Sequence, residues 1–144
     1  MTLALTTYHK KGMKYLLDTN ICIYIMKNRP PQVISKFKKF DIGDVAISSI
    51  TLFELQYGAY KSQNMDKSLE VIQSFIAPLD IIPFGRKAAD ICGKIRADLQ
   101  LQGNVIGLAD IQIAAIAMGR DYTLVTNNLK EFQRINGLVL ENWV

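Results

Sequence analysis

Lys14-Tyr15-Leu16-Leu17-Asp18-Thr19-Asn20 is an apolar run that stops on an acid and two small polar residues. A short apolar run bounded in this way reads as a buried strand, Lys14 to Asp18. Asp18-Thr19-Asn20 then offers three N-cap residues to a helix reaching about Lys27. From Met13 onward the chain keeps alternating short apolar runs with longer periodic ones, the pattern of strands joined by crossover helices. The expectation is an α/β fold built on a mostly parallel sheet.

Working outward, Arg29-Pro30-Pro31 breaks the first helix, and a second spans about Gln32 to Phe40 with Lys36, Lys38 and Lys39 on it. Asp41 to Asp44 turns into a strand, Val45 to Ser48, and Ser49 caps a helix from Ile50 to Lys61 that carries Glu54. Asn64 caps a helix to Ala77, whose Leu69, Ile72, Phe75 and Ile76 share a face. Leu79 to Pro83 is a third strand. A helix from about Arg86 to Leu101 gathers Ala88, Ile91, Cys92, Ile95 and Leu99 on an apolar stripe, with Arg86, Lys87, Lys94 and Arg96 largely outside it. Leu108 to Met118 is apolar on nearly all sides and reads as a buried helix with Asp110 in its first turn. Thr123 to Thr126 is the fourth strand, Asn127-Asn128 a turn, and Leu138 to Leu140 a short last strand before Trp143. Residues 13–144 read as one domain without repeats or linkers, and residues 1–12 as a disordered, dispensable extension.

Composition removes several kinds of chemistry. The single histidine, His9, precedes the first apolar segment, so the core has no imidazole for Ser-His-Asp or Cys-His catalysis, for a His-zinc site or for His-based ribonuclease chemistry. There is no Walker-type phosphate loop and no GxGxxG. Cys22 and Cys92 fall at apolar helical positions without the short spacing of a metal or redox pair, and read as reduced core residues of a cytoplasmic protein. No apolar run has the length of a membrane span. A net charge of +4 permits a nucleic-acid partner without proving one.

What remains is carboxylate chemistry. Asp18, Glu54 in Leu52-Phe53-Glu54-Leu55, and Asp110 before Ile111-Gln112-Ile113-Ala114-Ala115-Ile116 all sit in apolar context. A buried carboxylate must find a partner, keep its proton or hold a cation. Asp18 and Asn127-Asn128 each follow a strand end, where parallel α/β sheets bind ligands. Glu54 lies about one and a half turns into its helix and leans back toward the same rim, partly buried by Phe53, Leu55 and Tyr57. Three carboxylates and an amide there would stay partly protonated unless Mg²⁺ or Mn²⁺ supplied charge. Metal-activated hydrolysis of a phosphodiester fits that inventory. Taken singly, each has a structural reading as well: Asp18 an N-cap, Asp110 a helix-dipole partner, Glu54 a lysine's ion-pair partner or a solvated acid, and Asn128 a turn residue.

Together these segments resemble the PIN-domain family, and within it the VapC toxins of bacterial toxin-antitoxin pairs. Lys14 to Asn20 is similar to the family's opening strand, and Ile47-Ser48-Ser49-Ile50-Thr51-Leu52-Phe53-Glu54-Leu55-Gln56-Tyr57-Gly58-Ala59 to its second motif. Ile106-Gly107-Leu108-Ala109-Asp110-Ile111-Gln112-Ile113-Ala114-Ala115 is similar to the third. Leu124-Val125-Thr126-Asn127-Asn128 with Phe132, then Leu138 to Trp143, is similar to the closing segment. The resemblance implies a three-layer α/β/α sandwich with a sheet of about four to five strands, a homodimer, inhibition by a VapB-like antitoxin, and an endoribonuclease using Mg²⁺ or Mn²⁺. It carries Asp18, Glu54 and Asp110 over as metal-binding acids, with Thr126 supporting them by hydrogen bonding. Many PIN domains have a fourth acid where this chain has Asn128, so one well-held ion is expected in the free protein.

The leading expectation is a toxin that cleaves structured RNA, with transfer RNA favoured by the resemblance. Asn128 would position metal or water, Thr19, Asn20 and Asn127 would support the site, and Lys27, Arg29, Lys36, Lys38, Lys39, Arg86 and Arg96 are candidates to grip the RNA backbone. Two rivals stand beside it. One is a non-catalytic partner in a DNA-binding regulatory complex, the other a PIN nuclease in RNA maturation without an antitoxin.

Overall fold

In the computed structural model, residues 12–144 are described, so the expectation for the first eleven residues lies outside the described part. The chain runs β1 (Tyr15–Leu17), α1 (Thr19–Met26), α2 (Pro31–Phe37), a 3₁₀ turn (Ile42–Asp44), β2 (Val45–Ser48), α3 (Ser49–Tyr60) and α4 (Met65–Ile76). It continues through β3 (Asp80–Ile82), α5 (Arg86–Leu101), α6 (Leu108–Gly119), β4 (Thr123–Val125), α7 (Leu129–Phe132) and β5 (Leu140–Glu141).

The strands form one sheet in the order β3-β2-β1-β4-β5, and every pair is parallel. Sheets of this kind are covered on both faces, which explains why β1, β2 and β4 are mostly apolar and buried along their whole length, with only Ser48 and Thr123 polar. Side chains alternate between the two faces. Leu16, Ala46 and Leu124 pack with α5, α6, Phe132 and Ile135. Tyr15, Leu17, Val45, Ile47 and Val125 pack with α1, α2, the inner side of α3, α4 and Trp143. Two helical layers around one sheet give the α/β/α sandwich. Each fully buried Leu or Ile adds roughly 1.5–3 kcal/mol of burial.

Several local readings shift. Ser48, not Ser49, caps α3, because the Ser48 Oγ accepts from the Thr51 N–H at 2.9 Å while Ser49 is already helical. Asn64 stands at the start of α4 without a side-chain cap bond. The last strand is Leu140–Glu141, two residues beyond the expected Leu138 start, because Val139 meets β4 through its carbonyl alone and the ladder pairs Leu140 with Leu124 and Glu141 with Val125. α7 is a helix where only a turn was expected; it buries Phe132 completely. Cys22 and Cys92 are free and buried, as expected. Among the described residues no helix is long and apolar enough to cross a membrane.

Candidate active site

β1 lies mid-sheet, with β2 and β3 built outward on one side and β4 and β5 on the other, so the crossovers diverge between β1 and β4. Loops leaving those two strands splay apart and open a crevice beyond their carboxyl ends. Asp18 and Thr126 stand at that point. The Asp18 N–H donates to the Val125 carbonyl at 2.9 Å, and the Thr126 hydroxyl donates to Asp18 Oδ2 at 2.9 Å. Asp18 Oδ1 accepts from the Thr19 N–H at 2.8 Å, so the residue is also the N-cap of α1. One side chain therefore caps α1 and, through its other oxygen, bonds Thr126 at the mouth of the crevice. Asp18 is 5% exposed, and burial pushes its pKa up; the bonds from Thr126 and Thr19 offset this, while the charges of Glu54 and Glu131 add to it.

Glu54 reaches the same rim from α3. Its Oε1 accepts from the Thr19 hydroxyl at 2.6 Å, and Thr19 Oγ1 lies 3.1 Å from the Thr51 hydroxyl. The expected shielding by Phe53 and Tyr57 is corrected: both are exposed, at 64% and 57%. They form an outer stripe on α3 opposite buried Thr51, Leu55 and Ala59, while half-buried Glu54 bonds Thr19 at the start of α1.

Asp110, in the first turn of α6, is in a different situation. Its carboxyl is hydrogen-bonded to the carboxyl of Glu131, and its pKa is pushed up to about 7 by burial first, then by that bond and by the charges of Asp18, Glu131 and Glu54. Glu131 is the acid that the sequence reading missed. It comes from α7, and the Asn128 Nδ2 donates to its Oε2 at 3.2 Å while the Asn128 N–H donates to the Thr126 hydroxyl at 3.0 Å. A fourth carboxyl therefore stands beside Asp110, three residues after Asn128, whose amide holds it. Asn127 Nδ2 donates to the Tyr24 hydroxyl at 2.8 Å, tying the β4 loop to α1, and Asn20 is exposed on α1.

The basic candidates divide. Lys27 shares with Glu54 a groove of about 580 Å³ between α1, α3 and α4, lined also by Ile23, Leu55 and Ile72. Lys27 and Arg29 flank a smaller cavity beside Tyr24. Arg96 borders a cavity with Leu108 and Ile111, on either side of Asp110 in sequence. Arg86 instead lines a cavity with Gly119 and Arg120 at the last turn of α6, on the order of 15 Å along that helix from Asp110. Lys38 and Lys39 lie on the segment that leads into the start of β2, whereas the acids lie beyond strand ends. Lys36 is 3.8 Å from Glu141 at the β5 edge.

The donors on the rim are all oxygens, the set that selects hard divalent cations. Among the described residues no three His, Cys, Asp or Glu side chains close into a ready-made ligand cluster. Mg²⁺ keeps several waters and takes one or two carboxylates, so it does not require such a cluster. The pKa of Asp110 is raised by burial first and by the neighbouring acids second, and a positive charge placed beside it would favour its ionised form. The residues fit such an ion.

The chain matches the family model described as PIN domain over residues 15–138. It is 46% identical to Ribonuclease VapC2 of Haemophilus influenzae, over 92% of this chain and 99% of that protein. To the tRNA(fMet)-specific endonuclease VapC of Shigella flexneri it is 44% identical, over 91% and 98%. Among solved structures, VapBC2 from Rickettsia felis bound to a promoter DNA fragment superposes with a TM-score of 0.86 at 41% identity, over 92% of this chain and all of that one. With the strand order, the acids at the switch point and these matches in hand, the chain belongs to the PIN-domain family, among its VapC ribonucleases.

Proposed function

We propose that this PIN-domain ribonuclease is a toxin that hydrolyses a structured RNA, of the transfer RNA class, at a Mg²⁺ site held by Asp18, Glu54 and Asp110 with Glu131 as a fourth acid. The observation that carries the proposal is the gathering of four carboxyls, from the end of β1 and from α3, α6 and α7, at the β1/β4 switch point, with Asp110 among them pushed up to about 7. A bound hard cation supplies positive charge to the scissile phosphate and lowers the pKa of a water. The protein's part is positional. Thr126 and the Thr19 amide aim Asp18, Thr19 aims Glu54, and Asn128 aims Glu131 toward Asp110. Asp110, pushed up to about 7 by burial first and by its bond to Glu131 next, is the acid whose charge such a cation would favour most. Mn²⁺ is expected to substitute.

Substrate class and partner rest on the relatives. The Shigella flexneri protein is named for tRNA(fMet), and the Rickettsia felis structure is of a VapBC pair on promoter DNA. A VapB-like antitoxin is the partner we propose, with the apolar groove beside Glu54 as surface it can cover. We also propose a homodimer; exposed Phe53, Tyr57 and Tyr60 supply apolar area for it.

The test is incubation of purified protein with total transfer RNA, with and without Mg²⁺, followed by sequencing of the RNA ends. Discrete Mg²⁺-dependent cuts are expected. Intact RNA, from folded protein that still joins a DNA-binding partner, would favour the non-catalytic reading instead. Cleavage without growth inhibition on expression would favour RNA maturation.

A further inference from the structure

Thr51 is completely buried on the inner side of α3, where valine would cost less because an unpaired hydroxyl in the core is expensive. Its N–H caps on Ser48, and the hydroxyl turns to a side chain of another helix. The hydroxyl lies 3.1 Å from Thr19 Oγ1, and Thr19 Oγ1 donates to Glu54 Oε1 at 2.6 Å.

Each hydroxyl has a single proton to give. Thr19 gives its proton to the carboxylate, so the contact between the threonines must be donated by Thr51. The direction is therefore fixed, from Thr51 to Thr19 to Glu54, and it ends on a carboxylate that accepts. Bonds in such a chain polarise one another, so the buried first donor strengthens the last bond. The relay also links α1 to α3 across the site, because Thr19 and Thr51 are on different helices.

We propose that Thr51 is a positioning residue, which through Thr19 fixes how Glu54 faces the cation. The inference rests on the reading of Glu54 as a cation-holding acid, and its test separates the two. Mn²⁺ affinity is measured by calorimetry on the full chain, together with kcat and KM for transfer RNA cleavage and a melting curve, for Thr51→Val, Thr51→Ser, Thr19→Val, Glu54→Gln and the Thr19→Val/Thr51→Val pair.

Thr51→Val should weaken Mn²⁺ binding roughly tenfold or more, as losses of partners behind metal ligands do, and lower kcat while leaving KM near its original value. Thr51→Ser, which keeps the hydroxyl, should restore both. In the Thr19→Val background, Thr51→Val should add nothing, because its only route to Glu54 is gone. If Thr51→Val fails to fold, Thr51→Ala takes its place and is read against Thr51→Ser; equal affinities overturn the proposal. Losses that add in the double variant also overturn it, since they mark general packing. Wild-type affinity in Thr51→Val beside a large loss in Glu54→Gln sinks the relay and spares the site. Wild-type behaviour of Glu54→Gln sinks the reading beneath it.

Discussion

The four carboxyls divide into two pairs that solve the same electrostatic problem in opposite ways. Asp18 and Glu54 are met by donors: a backbone N–H and a hydroxyl for the first, a hydroxyl for the second. Asp110 and Glu131 are met by each other. Hydrogen bonds to the charged form hold the first pair as aimed acceptors, whereas in the second burial, the bond between the carboxyls and the nearby charges push Asp110 up to about 7, where a proton or a cation changes its state. One half of the site is therefore preorganised, and the other is primed to respond.

Removing a member of the preorganised half should have the largest effect. Asp18→Ala is expected to lower RNA cleavage by about 10³-fold, the scale of losing one fixed electrostatic group. Loss of the N-cap costs about 1 kcal/mol, so circular dichroism should still show a folded protein. Glu131→Gln should cost less, roughly 10- to 100-fold, and raise the Mg²⁺ concentration needed for half-maximal rate. Equal losses in the two variants would erase the distinction between the halves.

The responsive half predicts a pH dependence. Asp110 has a folded pKa of about 7 against an ordinary 3.8, so between those values the folded state binds more protons than the unfolded one. Stability of the metal-free protein should therefore fall as pH rises from about 4 to about 7, with the full penalty present above that. Discounted for a half-exposed carboxyl, the loss is about 1–2 kcal/mol, or roughly 5 °C in melting temperature. Asp110→Asn should flatten the slope, and Mn²⁺ binding at pH 7 should release a proton, seen as a buffer-dependent calorimetric heat. A flat profile without metal would show that the carboxyls are not crowded in solution.

The preorganised half was legible in the sequence because each of its acids has a strong local signal. Asp18 ends an apolar strand, and Glu54 follows a strand and a serine cap at a countable helical distance. Strand spacing and helical periodicity likewise carried the α/β architecture, and β2 and α5 fall on their expected bounds. Glu131 was hidden because Lys130-Glu131 looks like an ordinary solvated turn, and α7 has only four residues, too few to show a period. The available signal was Asn128-x-x-Glu131 ahead of Phe132, the spacing of a capping box. Arg86, Lys38 and Lys39 were put forward on charge alone, which reveals nothing about which end of a sheet a helix face reaches.

That last point gives the smallest effects and a way to ask whether RNA crosses both halves. Lys27 and Arg29 flank the Glu54 side, and Arg96 borders the Asp110 side. Removing one cation that meets an RNA phosphate should raise KM a few-fold and reduce the slope of log affinity against log salt by about one. Lys27→Ala, Arg29→Ala and Arg96→Ala should all do so if the strand spans the switch point, whereas Arg86→Ala, at the far end of α6, should leave the slope unchanged. A slope lowered only by Lys27→Ala and Arg29→Ala would confine the RNA to the preorganised side, and the Asp110–Glu131 pair would then respond to the cation and not to the substrate. A slope lowered by Arg86→Ala would mean that the RNA runs along α6, and the crevice between β1 and β4 would be only one part of its path.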